Sequence, residues 1–196
     1  MIDPRFVILG AVLNGVGSVS YLIGTLRGNV KPNRVTWLLW AIAPLIAWSA
    51  ELKQGVGIVS LFTFVSGFAP LLIFLASFHQ RSPWKIGRFD VVCGLLSLVG
   101  LGLWYATRAA DVAIVFAIVA DALAAIPTLV KSVKSPKTEN AFVYLCSAGG
   151  AGVTLLAISR WSVAEAAFPV YLFVMSLLLF VAVKVPVKSV FHLRKV

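Results

Sequence analysis

The sequence predicts an all-α integral membrane protein with seven transmembrane helices, arranged as two parallel three-helix bundles joined by a linker helix. Three observations predict it. Apolar residues make up 60% of the 196-residue chain and charged residues only 12%, where soluble domains carry about 25% charge; mean hydropathy is +0.98. The apolar residues gather into separate runs of spanning length, with basic residues after every second run. Finally, the first part of the chain aligns on the last part at a constant offset.

The runs lie at roughly 6–26, 35–50, 55–78, 89–107, 111–130, 140–159 and 163–184. A helix needs about 20 apolar residues to cross a bilayer. Backbone groups in lipid must be satisfied within the segment, and these runs are too long and too uniformly apolar for barrel strands, so each is read as a helix. The first could pass for a signal peptide, but its apolar run is too long and its charges, Arg27 and Lys31, follow it rather than precede it.

Basic residues then set the topology. Arg27, Lys31 and Arg34 follow the first span, Arg81, Lys85 and Arg88 the third, Lys131, Lys134 and Lys137 the fifth, and Lys184, Lys188, Arg194 and Lys195 the seventh. The other connections hold only Lys53 with Glu51, Arg108 with Asp111, and Arg160 with Glu165. The positive-inside rule places the C-terminus in the cytoplasm and the N-terminus outside. Topology and lipid headgroups thereby absorb most of the +10 net charge, and no nucleic-acid partner is implied. Tryptophans agree, with Trp37 and Trp84 at the inner interface and Trp48, Trp104 and Trp161 at the outer one.

The alignment sets Tyr21 on Pro127 and carries Pro70–Ala76, PLLIFLA, onto Ser176–Ala182, SLLLFVA, with no gap. Spans one to three and five to seven then read as copies of one unit. A directly repeated odd unit would come out inverted, yet both basic loops lie on one side, so one extra helix is required between the copies. The domains follow: 1–80 as the first bundle, 81–109 as the linker, and 110–196 as the second bundle with a short basic tail.

Asp121 stands near the middle of the fifth span, where a charge costs roughly 2.5–3.5 kcal/mol on insertion scales. Such an acid suits a proton-coupling role or a cationic substrate, or serves as interhelical glue. Asn14 falls one residue from Asp121 under the alignment, so the two should meet across the axis relating the copies. Helical spacing extends each into a stripe, Asn14, Ser18 and Tyr21 on the first span, Asp121 and Thr128 on the fifth. Trp40 is too deep for an interfacial belt and is a pocket candidate, and Tyr144 is a further one. Pro127 and Pro44 should kink their helices.

Neither Cys93 and Cys146 nor His79 and His192 show metal-ligand spacing, and no nucleophile motif is present. No metal, cofactor or enzymatic activity is expected.

Three plus one plus three helices, an outside N-terminus, and Pro127-Thr128 followed by the basic loop Lys134-Ser135-Pro136-Lys137-Thr138-Glu139 together resemble the PQ-loop and SWEET-like transporter superfamily. Thr128 stands where that family's motif has glutamine, and Tyr21-Leu22 replace both motif residues in the first copy. The stretch from Lys31 to Trp40 also resembles bacterial membrane proteins, which favours a bacterial inner membrane. The resemblance implies alternating access to a small polar solute in a midplane cavity lined by Asn14, Tyr21, Trp40, Asp121, Thr128 and Tyr144, with Pro127 and Pro44 as hinges. The alternative is a receptor or accessory subunit of the same architecture that binds without transporting. The expected partners are the bilayer and a small-molecule substrate, and the sequence neither requires nor excludes a homo-oligomer.

Overall fold

The computed structural model describes residues 2–79, 87–88, 91–92, 94–95, 98–99, 102, 106 and 110–185, and regular structure among them is helical throughout. The long helices are α1 (Val7–Leu26), α2 (Arg34–Lys53), α3 (Ser60–Ala76), α4 (Ala110–Lys134), α5 (Ala141–Ala157) and α6 (Val163–Lys184). They answer to the first, second, third, fifth, sixth and seventh predicted spans. The fourth, at 89–107, falls mostly outside the described residues, as do Arg81, Lys85, Cys93, Trp104 and the tail from 186.

Five of the six helices are long and apolar enough to cross a bilayer, α3 once the 3-10 turn Ser77–His79 extends it to 20 residues, and α5, at 17 residues, is shorter. At 1.5 Å per residue α5 reaches about 25 Å, against a hydrocarbon core of about 30 Å. Local chemistry sets the ends. Asn33 caps α2 by accepting from the amides of Val35 and Thr36 at 3.0 and 3.2 Å, and Asn140 caps α5 by accepting from Phe142 at 2.9 Å. Beyond α1 and α2 the chain turns on Gly28 and Gly55, whose φ of 76° and 72° suit glycine alone. Arg34 binds the end of α3, its Nη2 donating to the Ser77 carbonyl at 2.7 Å and its guanidinium lying 4.6 Å from the Phe78 ring centre. A basic residue expected to read out topology therefore also ties α2 to the C-terminal end of α3.

The helices form a closed ring in the order α1, α3, α2, α4, α6, α5. Exchanging α1 with α4, α2 with α5 and α3 with α6 returns the same set of neighbours. The loop after α1 meets the loop after α4, where the Lys31 amide donates to the Thr138 carbonyl at 3.1 Å, so α1 and α4 end on the same side. That side carries Arg27, Lys31, Arg34, Lys131, Lys134 and Lys137, and is the basic end of the ring.

Two seams join the α1–α3 triplet to the α4–α6 triplet, and both are built from small residues. On the α1–α5 seam a Cβ at Gly150 would lie 2.4 Å from the Gly10 carbonyl oxygen. On the α2–α4 seam, buried Ala43, Ala47 and Ala117 give way toward the basic end to two hydrogen bonds: Thr36 Oγ1 donates to the Ala124 carbonyl at 2.8 Å, and Trp40 Nε1 to the Asp121 carbonyl at 3.2 Å. With no hydrophobic drive between helices in lipid, such close approach and polar contacts hold a bundle together.

Gly150→Ala should destabilise the protein by about 1–3 kcal/mol, the usual cost of overpacking, because the methyl meets backbone that cannot step aside. Gly149→Ala, where the nearest atom to the new Cβ is Leu13 Cδ1 at 4.0 Å, should be near neutral. Thermal unfolding of the two variants in detergent reads the difference.

Candidate functional site

A cavity of about 60 Å³ lies inside the ring, and every one of the six helices contributes to its wall. Asn14 and Ser18 come from α1, Trp40 from α2, Ser66 from α3, Asp121 from α4, Tyr144 and Ser147 from α5, and Ser176 from α6. Its volume holds roughly two waters, well short of the several hundred Å³ of a drug-sized site.

Two polar pairs span the cavity wall. Asn14 Nδ2 donates to Ser66 Oγ at 2.7 Å, linking α1 to α3. The Ser66 hydroxyl spends its proton on the Phe62 carbonyl at 2.8 Å, so the amide NH2 is the group Asn14 presents to Ser66, and its amide oxygen remains as an acceptor. On the other side the Tyr171 hydroxyl donates to Asp121 Oδ2 at 2.6 Å, linking α6 to α4. Asp121 is 2% exposed, and its Oδ1 is buried without a hydrogen-bond partner. Pro44 and Pro70 also line the cavity. Lacking N–H groups, they leave the carbonyls of Trp40 and Ser66 without their helical partners.

The basic end is closed by a buried carboxylate. Glu139, in the loop between α4 and α5, has no exposed side-chain surface. Its Oε2 accepts from the hydroxyls of Tyr21 at 3.0 Å and Tyr144 at 2.8 Å, and its Oε1 pairs with Lys131 Nζ at 2.6 Å. Lys131 Nζ also donates to the carbonyl of Lys31. Tyr21 packs against Trp37 in a tilted pair with ring centres 4.5 Å apart, and Trp37 meets Trp40 edge-on at 5.2 Å. The opposite end is shut by apolar packing from every helix, with Val7, Phe62, Ile114, Ala151 and Ile158 at its centre.

The structure thus brings Asn14, Trp40, Asp121 and Tyr144 to one cavity. Asn14 and Asp121 face it from opposite triplets without a recorded hydrogen bond to each other; each is paired within its own triplet. Tyr21 and Thr128 lie off the wall: Tyr21 is bound to Glu139, and Thr128 is buried with no partner for its Oγ1. Pro127 and Pro44 both sit inside unbroken helices.

Sequence reasoning missed Tyr171 and Glu139. A phenol in the middle of an apolar run needs an acceptor, and Asp121 is the acid at that depth, so the Tyr171 pairing had a signal. Glu139 stood only as the last residue of the basic loop Lys134–Glu139, with no partner assigned to it. Glu51, grouped with Lys53 in a connection, instead lies within α2 at 1% exposure, its Oε1 accepting from Thr63 Oγ1 at 2.9 Å. Cys146 is a buried free cysteine, and no group of three metal-ligating side chains occurs among the described residues.

Comparison with family models, curated proteins and solved structures finds no match to this chain.

Tyr21→Phe and Tyr144→Phe each remove one donor to a buried carboxylate and should each cost about 1.5–3 kcal/mol. Because both donors meet one oxygen, the double variant should depart from the sum of the singles by at least about 0.5 kcal/mol. A double-mutant cycle by thermal unfolding checks it, and strict additivity would refute the shared acceptor.

Proposed function

We propose that the chain is a seven-helix membrane transporter of a small polar solute, similar in plan to the PQ-loop and SWEET-like superfamily, which alternates access to the central cavity by rocking two three-helix halves. One observation carries the reading: a buried carboxylate, Asp121, keeps an unpartnered oxygen at a cavity to which all six described helices contribute. Glu51 Oε2 is likewise buried without a partner, and what sets Asp121 apart is that it lines the cavity whereas Glu51 does not. An unmet polar group in hydrocarbon is costly, and at the cavity a solute or proton can meet it.

The neighbour pattern supports the two halves, because it maps onto itself when the triplets are exchanged. The linker of the proposed plan belongs to 81–109. Under the positive-inside rule the basic end is cytoplasmic, in a bacterial inner membrane, and the Glu139 cluster is the inner gate. It joins Tyr21 of one half to Lys131 and Tyr144 of the other, so the halves cannot part there without breaking it. With room for about two waters, the cavity is too small for a whole solute as it stands, and solute enters when the halves separate. Pro44 and Pro127, in helices on the α2–α4 seam, are the hinges, and Asp121 is the proton-coupling group.

The test is solute-driven proton movement in vesicles holding purified protein and a trapped pH dye, with sugars, amino acids, amines and nucleosides offered in turn. One class should move protons with the wild type, and Asp121→Asn should slow that movement at least tenfold. If no class is moved while some solute still raises the melting temperature, the protein binds without transporting and the receptor reading replaces this one.

A further inference from the structure

We infer that the cavity receives the ammonium head of a small organic cation, a substrate class that rests on the transporter reading and sharpens it. The first reason is charge: among the described residues Asp121 is the acid in the wall, and no lysine, arginine or histidine lines the cavity. The nearest basic side chain with a recorded bond toward the interior, Lys131, is engaged by Glu139. An anion would meet a carboxylate with nothing to offset it.

The second reason is the balance of donors and acceptors. Most donors of the wall are already spent inside the protein. Asn14 Nδ2 goes to Ser66, the Ser66 hydroxyl to Phe62, Trp40 Nε1 to the Asp121 carbonyl, the Tyr144 hydroxyl to Glu139, and the Ser176 hydroxyl to Ser147. Left are the Trp37 indole N–H, which has no partner, the second N–H of Asn14, and the hydroxyls of Ser18 and Ser147, each of which can serve as either donor or acceptor. Against these stand two acceptors, Asp121 Oδ1 and the Asn14 amide oxygen, and of all these groups only the Asp121 carboxylate carries a charge. A primary ammonium brings three donors and no acceptor. A sugar brings both in equal measure but no charge to offset the carboxylate.

The third reason is the aromatic wall. Trp37, Trp40 and Tyr144 all line the cavity, and ring faces attract cations more strongly when water is excluded. Tyr171 adds orientation, because its bond to Oδ2 fixes the carboxylate and leaves one oxygen for the ligand. As it stands the cavity suits a head of two or three heavy atoms.

The experiment titrates the full-length protein in lipid nanodiscs and follows tryptophan fluorescence, which Trp37 and Trp40 report from the cavity. The probes are methylammonium chloride, sodium acetate and glucose, at ionic strength held constant with sodium chloride. Methylammonium should saturate at a concentration at least tenfold below either of the others. Asp121→Asn should weaken it at least tenfold, while Tyr171→Phe, which keeps the carboxylate and frees its second oxygen, should bind within about threefold of wild type or tighter. The wild-type series decides the question even if a variant fails to fold. Tighter saturation by glucose or acetate overturns the cation class and leaves the cavity standing as a binding site. Saturation by none of the probes overturns the cation class as well. Methylammonium that binds as expected but is not exchanged into sealed vesicles keeps the class and removes the transporter reading.

Discussion

A carboxylate withdrawn from water must be met by donors inside the protein, and Glu139 is where this molecule answers that demand most fully. Three side chains from three helices converge on its two oxygens, and the backbones of the two loops pair beside it through Lys31 and Thr138. Removing one partner from a buried ion pair typically costs about 3–5 kcal/mol, a figure to be discounted here because the Lys131 side chain keeps 24% of its surface exposed. The same demand orders the rest of the interior. Asn14 and Ser66, Asp121 and Tyr171, and Glu51 and Thr63 each pair a polar group on one helix with one on a neighbour.

The interior is polar in a graded way along the ring. At the basic end the closing groups are ionic and phenolic, in the middle they are hydroxyls, an amide and one acid, and at the far end they are apolar, apart from Glu51 and Thr63. A seal of polar groups can open into water at small net cost, because water replaces the bonds that are lost. An apolar seal opened to water exposes its area at about 25 cal/mol per Å². Under the transport reading the two ends therefore work by different physics, and the balance between inward and outward states depends on the solute or proton at Asp121.

Hydropathy made the helices legible, since about 20 apolar residues in lipid leave the backbone one choice. The described helices begin and end within a few residues of the runs, except that α3 starts at Ser60 rather than near 55, because Gly55 and Gly57 hold the chain in a turn. Depth alone singled out Asp121 and Asn14, and both line the cavity. Partners were less legible. The alignment pointed Asn14 toward Asp121, but a side chain bonds what its own packing brings nearest, and that is the third helix of the same triplet. The alignment also sets Asn33 on Glu139, whereas the structure uses Asn33 and Asn140 as the corresponding caps. A one-residue shift in the loop is what carries Glu139 off the capping position, where it would sit at a helix end as Asn33 does, and into the interior.

That shift makes the two loops chemically unlike while the helices around them stay alike. In the first loop the residue at the cap turns back on its own helix, bonding Val35 and Thr36. In the second, Asn140 takes over the capping and also reaches Ser20 on α1 at 3.0 Å, which frees Glu139 to accept from both triplets. Exchanging the triplets leaves each end of the ring on its own side, so the two ends are free to close by different chemistry. At the basic end that chemistry is the buried acid Glu139, and Tyr21, Tyr144 and Lys131 are the side chains that make it tolerable.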